Sequence, residues 1–222
     1  MTIQKLTIYD FVVDIVPGAI AILLFISLLP VDVIDEFNIA DITLGSSLLV
    51  IVLGYFVGHL IQAVASPIDD WVYLSRRDDY PFEETLKEAK EDSVESRFKN
   101  SIDPFFALDA DDPAELNGIE RFKLTQSYLW NNNIGRAQRF QTLYSFLRSM
   151  WVLLVAGALL HLIALVAMFC VGYPILWTPL QSGLIIVILL LSGIASYWRR
   201  VQYHKEMVDA LIFDFYSNVL SN

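Results

Sequence analysis

Two carboxylates, Asp10 and Asp14, stand where the first long apolar stretch of the chain begins. They are four residues apart, so on a helix they share one face. A carboxylate in apolar surroundings faces a protein interior or water. Two interpretations stay open. Repeated around an oligomer, Asp14 forms an acidic ring that favours cations; otherwise its side chain reaches back to the polar boundary of the stretch.

Three further polar side chains interrupt apolar stretches: His59, Gln62 and His161. An ionisable group in such a position is a functional candidate, because its desolvation is costly. Together with Asp10 and Asp14 these residues could line a pore or polar path. The alternative is that they form hydrogen bonds between neighbouring helices.

The densest basic region offers a different chemistry, which is the binding of anions. Arginine can bind phosphate groups bidentately, and basic side chains beside a membrane attract anionic headgroups. Candidate ligand or headgroup contacts are Arg121, Lys123, Arg136, Arg139 and Arg148. The net charge of −10 argues against general nucleic-acid binding. Binding of a nucleotide or an oligonucleotide by these arginines stays an alternative.

Signatures of catalysis are absent from the sequence. It contains no His-Glu-x-x-His, Gly-x-Ser-x-Gly, Walker or Gly-x-Gly-x-x-Gly motif. The single cysteine excludes a disulfide framework and a cysteine-based zinc cluster. The pairs Asp69-Asp70 and Asp111-Asp112 are expected at helix starts, where negative charge complements the helix dipole. We therefore expect no catalytic residue, metal or cofactor, while an intramembrane enzyme without a recognisable motif stays as an alternative.

The composition places these residues in a membrane protein. Apolar residues make up 55% of the 222 residues and charged residues 18%, and the mean hydropathy is +0.51. About 20 apolar residues in a helix cross a bilayer. Four segments meet that length, at residues 11–29, 47–65, 150–171 and 180–198.

The distribution of basic residues fixes the expected orientation. All 15 Lys and Arg fall before the first segment, between the second and third, or after the fourth. Positive residues stay on the cytoplasmic side. Both termini and the long middle segment are therefore expected in the cytoplasm, with the chain in the inner (plasma) membrane.

These segments predict an all-α fold: four transmembrane helices with a helical cytoplasmic domain inserted between the second and third. The predicted divisions are an N-terminal hairpin (1–65), the cytoplasmic domain (66–148), a C-terminal hairpin (149–198) and an amphipathic tail (199–222). A helix restart is expected at Ser66-Pro67. Within the domain we expect one amphipathic helix over 82–98, broken at Asp103-Pro104, and another helix over 112–130. A last helix from 136 should run directly into the third span, and the fourth span should continue into the tail.

Small residues mark the expected packing faces. Gly54 and Gly58 form a Gly-x-x-x-Gly pattern that lets helices approach closely, and Ser192, Gly193 and Ser196 give the fourth span a similar face. Pro17-Gly18 predicts a bend or hinge in the first span.

Three stretches together carry a family resemblance. They are residues 9–18, residues 54–60, and residues 136–140 with Tyr144, Phe146 and Arg148. This pattern resembles small four-span membrane proteins of prokaryotes, most of them uncharacterised and some encoded near antiviral defence genes. The resemblance implies a membrane effector or accessory component, and it supplies no catalytic residues.

Two non-enzymatic hypotheses follow. The leading one is an oligomeric effector or channel-like component that responds to an intracellular cue, and the resemblance implies a role in antiviral defence. The alternative is a membrane anchor or scaffold that docks a soluble cytoplasmic partner. The expected partners are the lipid bilayer, further copies of the chain and a cytoplasmic protein.

Overall fold

The structure is a computed structural model that describes residues 8–30, 33, 44–74, 81–106, 118–132, 135–174 and 176–220. Over these residues the chain is helical, and no strand occurs among them. The predicted all-α class is confirmed. The side chain of Asp10 and the pair Asp111-Asp112 lie outside the described part, so the roles predicted for them stay predictions.

Seven α-helices are found in the described part, and a π-helical turn, Tyr216–Leu220, follows the last. The helices are α1 (Ile8–Ile26), α2 (Leu44–Leu74), α3 (Pro81–Lys87), α4 (Val94–Phe105), α5 (Gly118–Asn131), α6 (Ala137–Val171) and α7 (Pro179–Phe215). α6 and α7 are unbroken over 35 and 37 residues. This confirms that the third and fourth apolar segments are continuous with the helices predicted beside them.

Three of these helices are long and apolar enough to cross a membrane, which supports a membrane-embedded protein. The qualifying stretches are Leu49–Val72, Ala137–Val171 and Pro179–Leu220. The apolar part of α1, Val12–Ile26, is shorter.

The predicted restart at Ser66-Pro67 is wrong, because α2 passes through Pro67 without ending. A proline removes one backbone donor and strains one turn; the flanking turns of this 31-residue helix keep their own bonds. Asp69 therefore lies inside a helix and does not cap a helix start.

The single helix predicted over 82–98 is also wrong: α3 ends at Lys87 and α4 starts at Val94. Asp92 adopts a φ of 67°, and the Ser93 side chain caps α4 by accepting from the backbone N–H of Ser96 at 3.2 Å. This cap gives a new helix a favourable start. The break expected at Asp103-Pro104 is not found, because Pro104 lies within the last turn of α4.

The chain divides into two compact units, and α2, α6 and α7 contribute residues to both. The first, here called the membrane unit, comprises Met1–Asp70 and Thr142–Arg200. The second, the helical unit, comprises Trp71–Gln141 and Val201–Asn222.

Aromatic side chains fill the core of the helical unit. Phe82 makes edge-to-face contacts with Phe98 and Phe122, with ring centroids 5.9 and 5.5 Å apart. Phe215 contacts Phe98 at 5.6 Å and is fully buried. These contacts join α3, α4, α5 and the end of α7 into one core, so the tail predicted to be amphipathic supplies a central core residue.

Two polar features accompany that core. The Asp214 carboxylate accepts the backbone N–H of Arg136 at 2.5 Å, immediately before α6, and a Cβ at Gly135 would lie 2.4 Å from the same carboxylate. Partial burial raises the pKa of the Asp209 carboxyl, and the nearby Glu95 carboxylate raises it further.

Candidate functional site

A fully buried carboxylate organises one end of the membrane unit. Asp69 belongs to α2, while its partners Tyr144 and Trp151 belong to α6 and Arg200 to α7. Asp69 has 0% and Arg200 1% of its side chain exposed. Each residue lies close to an end of its apolar stretch, where a helix can bring a polar side chain inward without placing it in hydrocarbon.

Three side chains donate hydrogen bonds to Asp69. The Tyr144 hydroxyl donates to Oδ2 at 3.0 Å, and the Trp151 Nε1–H donates to Oδ1 at 3.1 Å. Arg200 Nη2 donates to Oδ2 and completes a buried ion pair. The same nitrogen lies 3.4 Å from the Tyr144 hydroxyl oxygen. Both carboxylate oxygens are therefore satisfied, as a buried charge requires.

Aromatic rings surround the guanidinium group of Arg200. Its Cζ lies 5.2 Å from the ring centroid of Tyr144 and 5.8 Å from that of Tyr197, within cation–π range. The Tyr197 ring in turn contacts the Trp151 ring edge-to-face at 5.6 Å. Charge, hydrogen bonds and ring contacts thus converge on one guanidinium. We call Asp69, Tyr144, Trp151, Tyr197 and Arg200 the ion-pair cluster.

The arrangement of the ion-pair cluster fits a structural role. A carboxylate that accepts from an arginine, a tyrosine and a tryptophan has its lone pairs engaged, so it is poorly placed to accept a substrate proton. Among the described residues no group of His, Cys, Asp and Glu could hold a metal ion. What the cluster does is bind α2, α6 and α7 together at one level.

Asp14 and His59, both predicted to line a polar path, lie side by side but differ in burial. His59 Nδ1 is 3.9 Å from Asp14 Oδ2; 13% of the Asp14 side chain is exposed and 71% of the His59 side chain. The His59 ring also stacks on Tyr55, with centroids 6.3 Å apart. Gln62, one turn further along α2, is half-buried. Asp14 therefore faces the interior of the membrane unit, and His59 lies at its surface.

Glycines bring α1 and α2 into close contact beside Asp14. A Cβ at Gly58 would lie 1.7 Å from the backbone oxygen of Asp14, and one at Gly18 would lie 1.7 Å from that of Gly54. A Cβ at Gly54 would meet its nearest neighbours only at 3.4 Å. The Gly-x-x-x-Gly partner is thus α1 of the same chain, and Gly18, predicted as part of a hinge with the buried Pro17, lies in this contact.

His161 lies in the interior of the membrane unit, bonded to two groups. Its Nδ1 is 2.9 Å from the carbonyl oxygen of Gly157, which can only accept. Its Nε2 is 3.1 Å from the Ser27 hydroxyl, which also lies 2.7 Å from the carbonyl of Leu24. The residue predicted as part of a polar path therefore joins α6 to the end of α1 by hydrogen bonds.

Of the small residues predicted to pack α7, Gly193 is buried, Ser196 half-buried and Ser192 exposed. A Cβ at Gly193 would lie 3.1 Å from Val155, so this glycine brings α7 close to α6. The packing face at that level is centred on Gly193.

The five basic residues predicted as anion contacts are divided between the two units. Arg148 belongs to the membrane unit and lies 5.6 Å from the Tyr144 ring centroid. In the helical unit, Arg136 Nε pairs with Asp214 at 3.6 Å. Lys123 and Arg139 are exposed and Arg121 is half-buried.

Sequence reasoning missed the ion-pair cluster. The sequence pattern predicts Asp69 at a helix start and Arg200 among the positive charges on the cytoplasmic side of the fourth span. One signal was available: both residues closely follow apolar segments that end on the same expected side of the membrane, so they lie at similar depth. Opposite charges at equal depth on two spans are candidates for pairing.

Comparison of the chain with protein-family models, with curated proteins and with solved structures found no match in any of the three.

Proposed function

We propose that this protein is a non-enzymatic, four-span membrane anchor or scaffold that presents its helical unit in the cytoplasm to a soluble partner. In this proposal the membrane unit is a packed support, and the helical unit carries the recognition surface. The ion-pair cluster keeps α2, α6 and α7 in register where they leave the membrane.

The observation that carries the proposal is the uneven distribution of exposed apolar side chains. Among the described residues, all but two of the large apolar side chains that are exposed belong to the membrane unit; the exceptions are Trp71 and Phe213. A surface of Leu, Ile, Val and Phe on this scale is costly in water and favourable in lipid. The helical unit has instead its own aromatic core and few exposed apolar groups, as in a domain surrounded by water.

The backbone beyond α1 supports a fourth span. The N–H groups of Ser27, Leu28 and Leu29 donate to carbonyls three or four residues earlier, at 3.0–3.1 Å. Helical turns therefore continue to residue 29, and residues 12–29 extend about 27 Å at 1.5 Å per residue. That length approaches the roughly 30 Å of a bilayer core.

Burial of the polar groups favours an anchor over a pore. A pore formed by several copies must be lined by residues on the surface of each copy. Two of the ionisable candidates, Asp14 and His161, face the interior of the membrane unit instead. Asp14 lies beside His59 of α2, and His161 bonds to Ser27 at the end of α1, so each has a neighbour on another helix of the same chain.

The orientation can be tested with the single native cysteine. Cys170 is exposed near the end of α6, on the side proposed to face away from the cytoplasm. A membrane-impermeant maleimide should label it in intact cells and should not label Cys170→Ala. In the Cys170→Ala protein, a cysteine introduced by Glu91→Cys, at an exposed position of the helical unit, should react with the maleimide only after the membrane is permeabilised. Labelling of Glu91→Cys in intact cells would contradict the proposed topology.

The docking role has its own test. Purified protein in vesicles should conduct no ions, and charge reversal at exposed helical-unit positions, Lys87→Glu and Lys90→Glu, should abolish binding of the cytoplasmic partner. Asp14→Asn should leave that binding unchanged. Partner binding that is unchanged by these charge reversals in the helical unit would contradict the proposal.

A second candidate, a channel-like oligomer, is favoured by His59. This ionisable side chain is largely exposed between Phe56 and Leu60, which are exposed apolar neighbours on α2. A second copy of the chain that covered it would remove an exposed polar group from lipid. This candidate predicts ion flux through reconstituted protein that His59→Ala and Asp14→Asn reduce, and an oligomer in mild detergent. A silent, monomeric protein would exclude it.

The resemblance to four-span prokaryotic proteins extends the proposal to antiviral defence. In that role the helical unit would receive its cue from a cytoplasmic defence protein. The test measures the efficiency with which phage form plaques on cells that carry the gene with its native neighbours. It should be lower on these cells than on cells in which the charges of the Glu88–Lys90 region of the protein are reversed. Equal plating would remove the defence role and leave the membrane topology unaffected.

A further inference from the structure

The membrane unit contains a crevice between α1, α2 and α6. Its volume is about 370 Å³. Its walls include Ala21, Phe25, Leu28, Val57, Gly157 and Leu160, and every described residue that lines it is apolar. Among the described residues, the crevice therefore has no charged or hydrogen-bonding side chain in its wall.

Small residues account for the space. At Gly157 α1 approaches α6 closely, because a Cβ there would lie 2.9 Å from Leu24 Cδ1. Ala21 on α1 and Ala156 on α6 also line the crevice, and neither side chain is long enough to fill the space between the helices. The volume is thus a consequence of local sequence.

Water is a poor occupant of this crevice. A buried water needs two to four polar partners, and the crevice offers none from its side chains. The nearby side chains of His161 and Ser27 form a hydrogen bond with each other. They also bond to the carbonyls of Gly157 and Leu24, respectively. A void of this size would also forfeit the dispersion contacts of its walls. The occupant must be apolar.

The crevice is continuous with the lipid-facing surface. Phe25 and Leu160 line it and are also 65% and 52% exposed, so one side opens where the membrane unit meets its surroundings. On the proposed membrane location, on which this inference rests, those surroundings are hydrocarbon chains. The volume of about 370 Å³ is many times the roughly 10–15 Å³ that a cavity needs to hold one water, so the crevice can hold a segment of a hydrocarbon chain.

The geometry points to a binding site for one acyl chain of a membrane lipid, inserted between α1 and α6 beside the bond between His161 and Ser27. The ligand class is a single unbranched hydrocarbon chain, because the crevice lies between packed helices and its described wall residues supply no polar recognition. A chain held there is distinct from the lipids that surround the protein, because it contacts residues of α1, α2 and α6 at the same time.

The test uses vesicles that contain a trace of phosphatidylcholine with a diazirine in the middle of one acyl chain. After photolysis, adducts on the intact protein are mapped by mass spectrometry. We expect them to concentrate on peptides that contain residues 21–28 and 153–160. Ala21→Phe and Val57→Phe, which fill the crevice, should reduce these adducts about tenfold, equivalent to about 1.4 kcal/mol of affinity.

Leu159→Phe is the matched control, since Leu159 is exposed on α6 but does not line the crevice, and it should leave the adducts unchanged. Adducts spread evenly over exposed positions such as Leu184 and Leu191 would overturn the acyl-chain site and leave the membrane location intact. No adduct anywhere on α2, α6 or α7 would overturn both. Two filling variants, together with mapping of the unmodified protein, keep the test decisive if one variant fails to fold.

Discussion

Replacing one member of the buried ion pair, Asp69→Leu, should destabilise the protein strongly. The substitution leaves the Arg200 guanidinium buried without its carboxylate, with the longer bond to the Tyr144 hydroxyl and two ring contacts remaining. Removing one partner of a buried pair costs about 3–5 kcal/mol. The Trp151 and Tyr144 donors also lose their acceptor, at about 1–3 kcal/mol each when buried. Because these groups share one site, the costs do not add fully, and we expect a loss of about 4–6 kcal/mol.

The reverse substitution, Arg200→Met, should cost less. Asp69 then keeps the hydrogen bonds from Tyr144 and Trp151, so its buried carboxylate remains partly stabilised. The double variant Asp69→Leu with Arg200→Met removes both charges and fills the space with apolar atoms. Such replacements of buried pairs are often neutral or stabilising. We expect the double variant to lose less than either single variant does.

The assay is reversible unfolding in mixed micelles by increasing the fraction of denaturing detergent, followed by circular dichroism and by tryptophan fluorescence, to which Trp151 contributes as one of five tryptophans. Tyr144→Phe serves as a graded control, because it keeps the ion pair but removes the hydroxyl's hydrogen bond to Asp69, worth about 1.5–3 kcal/mol, together with the longer bond from Arg200. Two results would refute the reasoning. One is a loss below about 1 kcal/mol for Asp69→Leu, the value typical of an exposed pair; the other is a double variant whose loss equals the sum of the two single losses.

Three further predictions concern single residues. Gly58→Ala should separate α1 from α2 and destabilise the membrane unit, whereas Gly54→Ala, whose Cβ meets only ordinary contacts, should not; equal unfolding transitions for the two variants would contradict this. Asp214→Ala removes the side-chain acceptor before α6 and should lower stability by about 0.5–2 kcal/mol, measured by thermal unfolding; Asp214→Asn, which keeps an acceptor oxygen, should lose less. Asp209→Asn should raise the unfolding midpoint slightly at pH 7. The raised pKa of Asp209 means that its ionised form destabilises the fold above that pKa, so the gain should vanish near pH 3, where both states are protonated; a gain independent of pH would exclude this cause.

Helix positions were largely predictable from the sequence because they follow from local pattern. Uninterrupted apolar runs predicted the long helices, and the absence of a breaker after residue 136 predicted that α6 is continuous. The helix predicted over 82–98 is divided between Lys87 and Val94, and the other two errors occurred at prolines. Pro67 and Pro104 both lie inside helices, since one lost backbone bond is a small part of what a long or well-packed helix gains.

The ion-pair cluster was harder to predict because its members are distant in sequence. Asp69 and Arg200 are 131 residues apart, and nothing in the pattern around either residue specifies the other. Gly54 and Gly58 show the same limit in milder form: the spacing indicated a packing face, but α1 as the partner emerges only from the fold. Local periodicity encodes which face of a helix is polar or small, whereas the choice of partner depends on how all the helices assemble.

Polar groups in the membrane unit repeat one arrangement. Asp69 is bound by donors from two other helices, His161 is bonded to Ser27 at the end of α1, and Asp14 lies beside His59 of α2. In hydrocarbon a polar group without a partner is costly, so each such pair favours one assembly of the helices over its alternatives. A membrane unit held by internal pairs of this kind is suited to keep α6 and α7 in a fixed relation, which is what the proposed role of a support for a cytoplasmic recognition surface requires. A pore would need at least one of these groups to exchange its internal partner for water or an ion, and the exposed His59 is the side chain for which that exchange costs least.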